Sequence, residues 1–307
     1  MRMRSLLLVL LVAGCASATP SPAPSVTASA ETATPVPTEQ PTETPIPLDQ
    51  AMLARRFTVL IAGADTSRYR RSRGLQDWNT DALMVISVSA DKSKIEILSL
   101  PRDTVDIPMA DGTIYHHKVN GIAQRLGMPV LRDAMATLLG VPIDRYIRVD
   151  MDDFAWMVDA VGGIDVEVKT RIADSKVHLF LDPGPAHLTG AQALAFSRTR
   201  ADSDYGRARR QQQVIVALVR KWLDPGAGAL LASVGLLGSL QTDIQLGELP
   251  TLLEIGRRSA TATEHGIVLQ PPQFSLFVGF EPNSTRGWVM IPDVPAIQAY
   301  ARAALSN

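Results

Sequence analysis

Short, continuous apolar runs constrain this chain more than any other feature. FTVLIA at 57–62 and ALMVISV at 82–88 are too short for core helices and lack the polar alternation of a strand with one wet face. Such runs read as strands buried on both faces, which requires helices above and below the sheet. KIEILSL at 94–100 adds a third strand that stops at Pro101. Helical stripes follow: Val130, Leu131, Ala134 and Leu138, ended by Gly140 and Pro142, then Phe154, Met157, Val158 and Val161, closed by Gly162-Gly163. RYIRV at 145–149 and IDVEV at 164–168 read as strands between and after them. A helix over 249–255, strands near 267–270 and 287–291, and a helix from Val294 complete the pattern. The fold class predicted is α/β, a three-layer α/β/α sandwich with a mixed central sheet.

The chain before these runs is of a different kind. MRMRSLLLVLLVAGC carries Arg2 and Arg4, an apolar stretch from Leu6 to Val12, small residues, and Cys15, the single cysteine of the chain. This is a signal-peptide pattern, too short for a membrane-spanning helix. LVAGC at 11–15 also resembles a bacterial lipobox, which makes Cys15 a lipidation site; a cleaved secretory signal with an incidental cysteine is the alternative. Residues 16–50 hold eight prolines among many Thr, Ser and Ala, a composition that cannot bury enough surface to order itself. The expected organisation is a signal peptide at 1–14, a lipidated cysteine and disordered tether at 15–50, and one folded domain at 51–307. That places the domain on the extracytoplasmic face of a bacterial membrane, held by lipid. Removal of residues 1–14 leaves 28 basic against 31 acidic residues. A near-neutral chain with local cations favours a discrete anionic ligand over nucleic acid.

The cations concentrate in FSRTRADSDYGRARRQQQ, 196–213, where Arg198, Arg200, Arg207, Arg209 and Arg210 fall within thirteen residues. Thr189 and Gln192 form a capping box for a helix over 190–197. A second helix is expected over 204–223 with Asp204 as its N-cap, and Arg207, Arg210 and Gln211 share one of its faces while Arg209 points away. Guanidinium forks match phosphate oxygens, so the stretch reads as a phosphate clamp; a solvated basic helix face is the other reading. Asp65 and Arg102 follow strand ends, where open α/β sheets place ligands, and an antiparallel second strand would bring Asp81 to the same edge. Carboxylate pairs bind Mg²⁺ together with substrate phosphates. Two aspartates and a set of arginines therefore suit phosphoryl transfer.

VLIAGADTSRYRRSRGLQDWNTDALMVISV, ILSLPRDTVDIP, KVNGIA and LTGAQALAFSRTRADSDYGRARRQQQ, taken in order, resemble the motifs of the LytR-CpsA-Psr family of cell-envelope phosphotransferases. The resemblance implies an α/β/α sandwich with a hydrophobic tunnel for a polyprenyl chain. It also implies transfer of a glycan phosphate from an undecaprenyl-pyrophosphate carrier to peptidoglycan or another envelope acceptor. By the same resemblance Asp65 and Asp81 ligate Mg²⁺ (or Mn²⁺) and, with Arg102, form the catalytic group. Arg102, Arg198, Arg200, Asp204, Arg207 and Gln211 bind pyrophosphate, with Arg68 as a further contact, and Asp103 orients Arg102. Where many members read R-S-D-T, this chain reads Asn79-Thr80-Asp81-Ala82, so that one positive contact is either missing or supplied by Arg71 or Arg73. Two other functions fit the same residues: a pyrophosphatase acting on the lipid carrier, and a non-catalytic lipoprotein that binds polyprenyl phosphates.

Overall fold

A computed structural model describes residues 47–223 and 240–305. The signal peptide, Cys15 and nearly all of the tether lie outside the described residues. The described chain opens with α1 (Gln50–Ala54), capped by Asp49, whose carboxylate accepts from the Met52 amide at 3.0 Å. β1 (Phe57–Ala64), α2 (Arg68–Ser72), β2 (Thr80–Val88) and β3 (Lys94–Ser99) follow. After the small hairpin β4 (Ile107–Pro108) and β5 (Ile114–Tyr115) come α3 (Ile122–Leu126), α4 (Met128–Leu139), β6 (Arg145–Asp150), α5 (Met151–Ala160) and β7 (Ile164–Val168). β8 (Ile172–Asp174), β9 (Leu179–Leu181) and β10 (Gly184–Leu188) lead to α6 (Gly190–Arg198) and α7 (Asp204–Leu223). β11 (Gln241–Thr242), a helix over Leu249–Arg258, β12 (Thr263–Val268), β13 (Ser275–Phe280), β14 (Trp288–Pro292) and a last helix over Val294–Ala304 complete the described chain.

The apolar runs form the middle of a six-stranded sheet in the order β11-β6-β1-β2-β3-β12. β1 is parallel to β6, and β3 to β12, while β1/β2, β2/β3 and β6/β11 are antiparallel, so the sheet is mixed. Side chains alternate across the strands. Leu60, Ala62, Leu83 and Val85 point to one face and are buried against α3, α4 and the last helix through Ile122, Leu131, Leu138 and Ile297. A second core on the other side of the sheet joins Val149 to Phe154 and Val158 of α5, Ala193 and Phe196 of α6, and Val214 and Leu218 of α7. Helices thus cover both faces, as a doubly buried sheet demands.

The approach of α5 to α6 is close because of one residue. A Cβ on Gly190 would run into the Ala155 carbonyl oxygen, so the first turn of α6 lies directly on α5. The Gly190 amide donates to Asp159 of α5 at 2.6 Å. The capping box of Thr189 and Gln192 is present on the same turn. The strands expected near 267–270 and 287–291 form over 263–268 and 288–292. β8, β9, β10 and β13 lie in segments without apolar periodicity strong enough to announce them.

Candidate active site

The sheet order gathers the chemistry at one edge. β1 and the parallel β6 run out together, Ala64 opposite Asp150, so Asp65 follows and Asp150 ends that pair of strands. β2 starts at the same edge because it is antiparallel to β1; the register slips between Gly63, which faces Ala82, and Ala64, which faces Thr80, leaving Asp81 at the irregularity. β3 delivers Arg102 through Leu100 and Pro101. Asp65, Asp81, Arg102 and Asp150 line one cavity of about 330 Å³ together with Arg198, Arg200, Arg207 and Gln211 from the end of α6 and the start of α7. Away from that charged mouth the same cavity is walled by Ile61, Met84, Phe154, Leu194, Val214 and Ile215. It lies between the sheet and the α5–α7 layer.

The mouth is a lattice of alternating charges. Arg102 Nη1 meets Asp81 Oδ2 at 2.6 Å, and Asp103 stands 3.5 Å from Arg102 Nε and 2.7 Å from Lys118 Nζ. Asp103 thus stands between Arg102 and Lys118, paired with both. Asp65 is held more loosely, 3.9 Å from Arg198 and 4.0 Å from Arg70. Arg200 Nε lies 3.1 Å from Asp204 Oδ1 and Arg207 Nη1 lies 3.8 Å from the same oxygen. Arg207 is only 6% exposed, and its Nε has no hydrogen-bond partner. Burial, followed by the effect of nearby arginines, pulls its guanidinium below the usual arginine range despite Asp204. A buried cation with an open donor is suited to an anion brought from outside.

The start of α7 differs from the sequence expectation. Its helical residues begin at Asp204, and Ser203 is the cap: its hydroxyl accepts from the Gly206 amide at 2.9 Å. Asp204 is thereby free to face Arg200 and Arg207. Arg210 also departs from its expected neighbours. It turns away from the cavity to donate to the carbonyls of Phe196 (3.1 Å) and Thr199 (2.6 Å) and to Asp202 (2.8 and 3.0 Å), which ties α7 to the carboxyl end of α6. Arg209 is exposed and reaches Gln270 at 3.1 Å, away from the cavity.

Arg68 is not among the cavity residues: its side chain is 77% exposed and lies 3.6 Å from Asp153 of α5. Neither Arg71 nor Arg73 is among the cavity residues. Arg71 is taken by Asp150 at 2.6 Å, and the cation near Asp65 is Arg70. Asp150 and Arg70 are thus site residues that the sequence reading passes over. The signal for Asp150 was available, since an acid directly after RYIRV obeys the same strand-end rule as Asp65. Arg148 holds the other Asp150 oxygen at 2.6 Å and stacks 4.3 Å over the Trp78 ring.

The donor set at the mouth is compatible with Mg²⁺ only in combination with a ligand. Among the described residues no group of three or more His, Cys, Asp or Glu could hold a metal. Two hard carboxylates with phosphate oxygens completing the shell is, however, the usual way Mg²⁺ is bound.

The LytR_cpsA_psr family model matches residues 25–270. The chain is similar to the polyisoprenyl-teichoic acid--peptidoglycan teichoic acid transferase TagU of Halalkalibacterium halodurans, 35% identical over 198 residues that cover 62% of either protein. It is also similar to the transferase TagV of Bacillus subtilis, 31% identical over 177 residues, 55% of this chain and 44% of that one. The chain spans less than two thirds of the length of these relatives. Among solved structures, that of B. subtilis TagV aligns with a TM-score of 0.65 and 26% identity over 82% of this chain and 98% of that one. TagT bound to LIIa-WTA aligns with a TM-score of 0.63 and 22% identity over 83% and 92%, a likeness of fold.

Proposed function

The chain belongs to the LytR-CpsA-Psr family, and from that membership we propose that it transfers a glycan phosphate from a polyprenyl-pyrophosphate carrier, undecaprenyl in bacteria, to peptidoglycan or another envelope acceptor. One observation carries the reading: a single cavity has an apolar body and a mouth of seven arginine and aspartate side chains, gathered from the ends of four strands and from the junction of two helices. That shape and charge fit a ligand with a hydrocarbon tail and a pyrophosphate head.

In this reading the tail lies against Ile61, Met84, Leu194 and Ile215, and Arg102, Arg198, Arg200 and Arg207 receive the phosphates. An acceptor hydroxyl oxygen attacks the glycan-linked phosphorus; the bond from that phosphorus to the bridging oxygen breaks, and polyprenyl phosphate departs with the bridging oxygen. The arginines stabilise the charge that collects on the leaving phosphate. The hydroxyl proton passes to a carboxylate at the mouth. Asp65 is the better placed acceptor, because its ion pairs are long while Asp81 is committed to Arg102 at 2.6 Å. Asp65 and Asp81 would also hold Mg²⁺ or Mn²⁺, which when bound neutralises phosphate oxygens and orients them. Gln211 donates to the Ser197 carbonyl at 3.2 Å and so braces the two helix ends around the head group.

We place the protein on the extracytoplasmic membrane face, anchored through lipid on Cys15. No helix among the described residues is long and apolar enough to cross a membrane. The test of the site is turnover of a polyprenyl-pyrophosphate-linked glycan by the purified protein with Mg²⁺. Turnover that stops with a chelator and in Arg102→Ala agrees with the assignment, and undiminished turnover in Arg102→Ala removes it.

A further inference from the structure

Seven buried side-chain nitrogen or oxygen atoms among the described residues lack a hydrogen-bond partner. Three of them, Arg102 Nε, Tyr205 Oη and Arg207 Nε, belong to residues that surround one small cavity of about 20 Å³ next to the main one. The two cavities share Asp81, Arg102, Arg207 and Gln211. Buried donors are almost always satisfied, so three at one place point to a ligand atom that accepts from them.

The surrounding carboxylates do not serve. Asp81 is taken by Arg102 Nη1 at 2.6 Å and Asp204 by Arg200 at 3.1 Å. Asp103 gives one oxygen to Lys118 at 2.7 Å, and its other oxygen stands 3.5 Å from Arg102 Nε without forming a hydrogen bond; none of the three accepts from Tyr205. Burial, with Asp204 and Asp103 adding to it, raises the Tyr205 phenol above its ordinary value, so it is a hydroxyl donor at neutral pH. The space admits about one oxygen-sized group. With two guanidiniums and a hydroxyl as donors, an anionic oxygen is favoured there over a neutral one.

We propose that this annex takes one phosphoryl oxygen of the bound pyrophosphate, and that Tyr205 is a ligand-binding residue, the third donor to that oxygen beside Arg102 and Arg207. The inference rests on the phosphate-clamp reading above and adds to it a neutral donor on α7 that neither charge nor the pattern of arginines indicates.

Calorimetric titration of the full chain with inorganic pyrophosphate, and in parallel with farnesyl pyrophosphate, both with Mg²⁺, tests it in wild type, Tyr205→Phe and Tyr115→Phe. The Tyr115 hydroxyl is also buried without a partner but lines neither cavity, which makes it the control. Tyr205→Phe is expected to weaken both probes by about tenfold or more, with no fall in the melting temperature of the free protein, since the change removes an unpaired buried hydroxyl. Tyr115→Phe is expected to bind as wild type. Binding by Tyr205→Phe within twofold of wild type overturns the role of Tyr205 and leaves the clamp standing. Failure of wild type to bind either probe overturns the clamp and the annex with it.

Discussion

Arg207 concentrates the electrostatics of the site in one side chain. It is buried, its guanidinium is drawn down by desolvation, and its nearest carboxylate is 3.8 Å away. Removing a preorganised donor aimed at developing charge costs about 100- to 1,000-fold in turnover. Arg207→Ala should therefore lose at least about 100-fold in release of polyprenyl phosphate, measured at saturating donor, with the fold kept as judged by circular dichroism. At this scale the sequence was legible where a rule tied residue type to position. Asp65 and Arg102 were found from strand ends, and Arg207 from helix spacing. Asp150 escaped although the same rule applied. The role of Arg210 could not be read, because one arginine on a helix face looks like another until the partner carbonyls of Phe196 and Thr199 are known.

Between α6 and α7 the sharp turn is held by Arg210, which has four hydrogen bonds to the α6 end and to Asp202. Arg210→Ala leaves two carbonyls and a carboxylate without their donor and should destabilise the protein by about 3 kcal/mol, read as a lower urea midpoint. A second joint ties β6 to the helix over Leu249–Arg258: Arg145 Nε donates to Glu248 Oε2 at 3.0 Å, and Nη2 donates to the other oxygen. That hydrogen bonding holds the Glu248 carboxyl below its ordinary 4.5. A depressed folded-state value means the contribution is complete above about pH 4.5 and is lost as pH falls further. Stability measured by urea titration at several pH values should decline below pH 4.5 in wild type. Glu248→Gln should be weaker at pH 7, by about 1–2 kcal/mol, and show a shallower acid-side decline. Elements were legible in proportion to their periodicity. The buried strands and the long helices stood out, whereas β8, β9 and β10 are short hairpin pieces fixed by pairing with one another and with β7, which no local pattern records. The α7 cap was misplaced by one residue because Ser203 and Asp204 are both good capping types. The structure selects serine and leaves the aspartate for the arginines.

At the scale of the molecule, a charged mouth and an apolar body share one cavity because the mixed sheet turns the ends of β1 and β6 and the start of β2 to a single edge, beneath α5–α7. The sequence implied both layers and both kinds of residue. It could not assign Ile61 or Ile215 to a cavity wall, since an apolar side chain facing a ligand is indistinguishable in sequence from one facing a core. If the apolar body receives a hydrocarbon tail, narrowing it should penalise long tails most. Ile215→Trp is expected to raise the KM for a long-chain polyprenyl donor severalfold while a short-chain analogue is less affected, compared by steady-state kinetics. The most direct measurement of the proposed function follows both products of one reaction containing the purified protein, Mg²⁺, a polyprenyl-pyrophosphate-linked glycan and peptidoglycan. Transfer predicts polyprenyl monophosphate released in step with glycan joined to peptidoglycan through a phosphodiester; monophosphate released with the glycan phosphate left free in solution contradicts it.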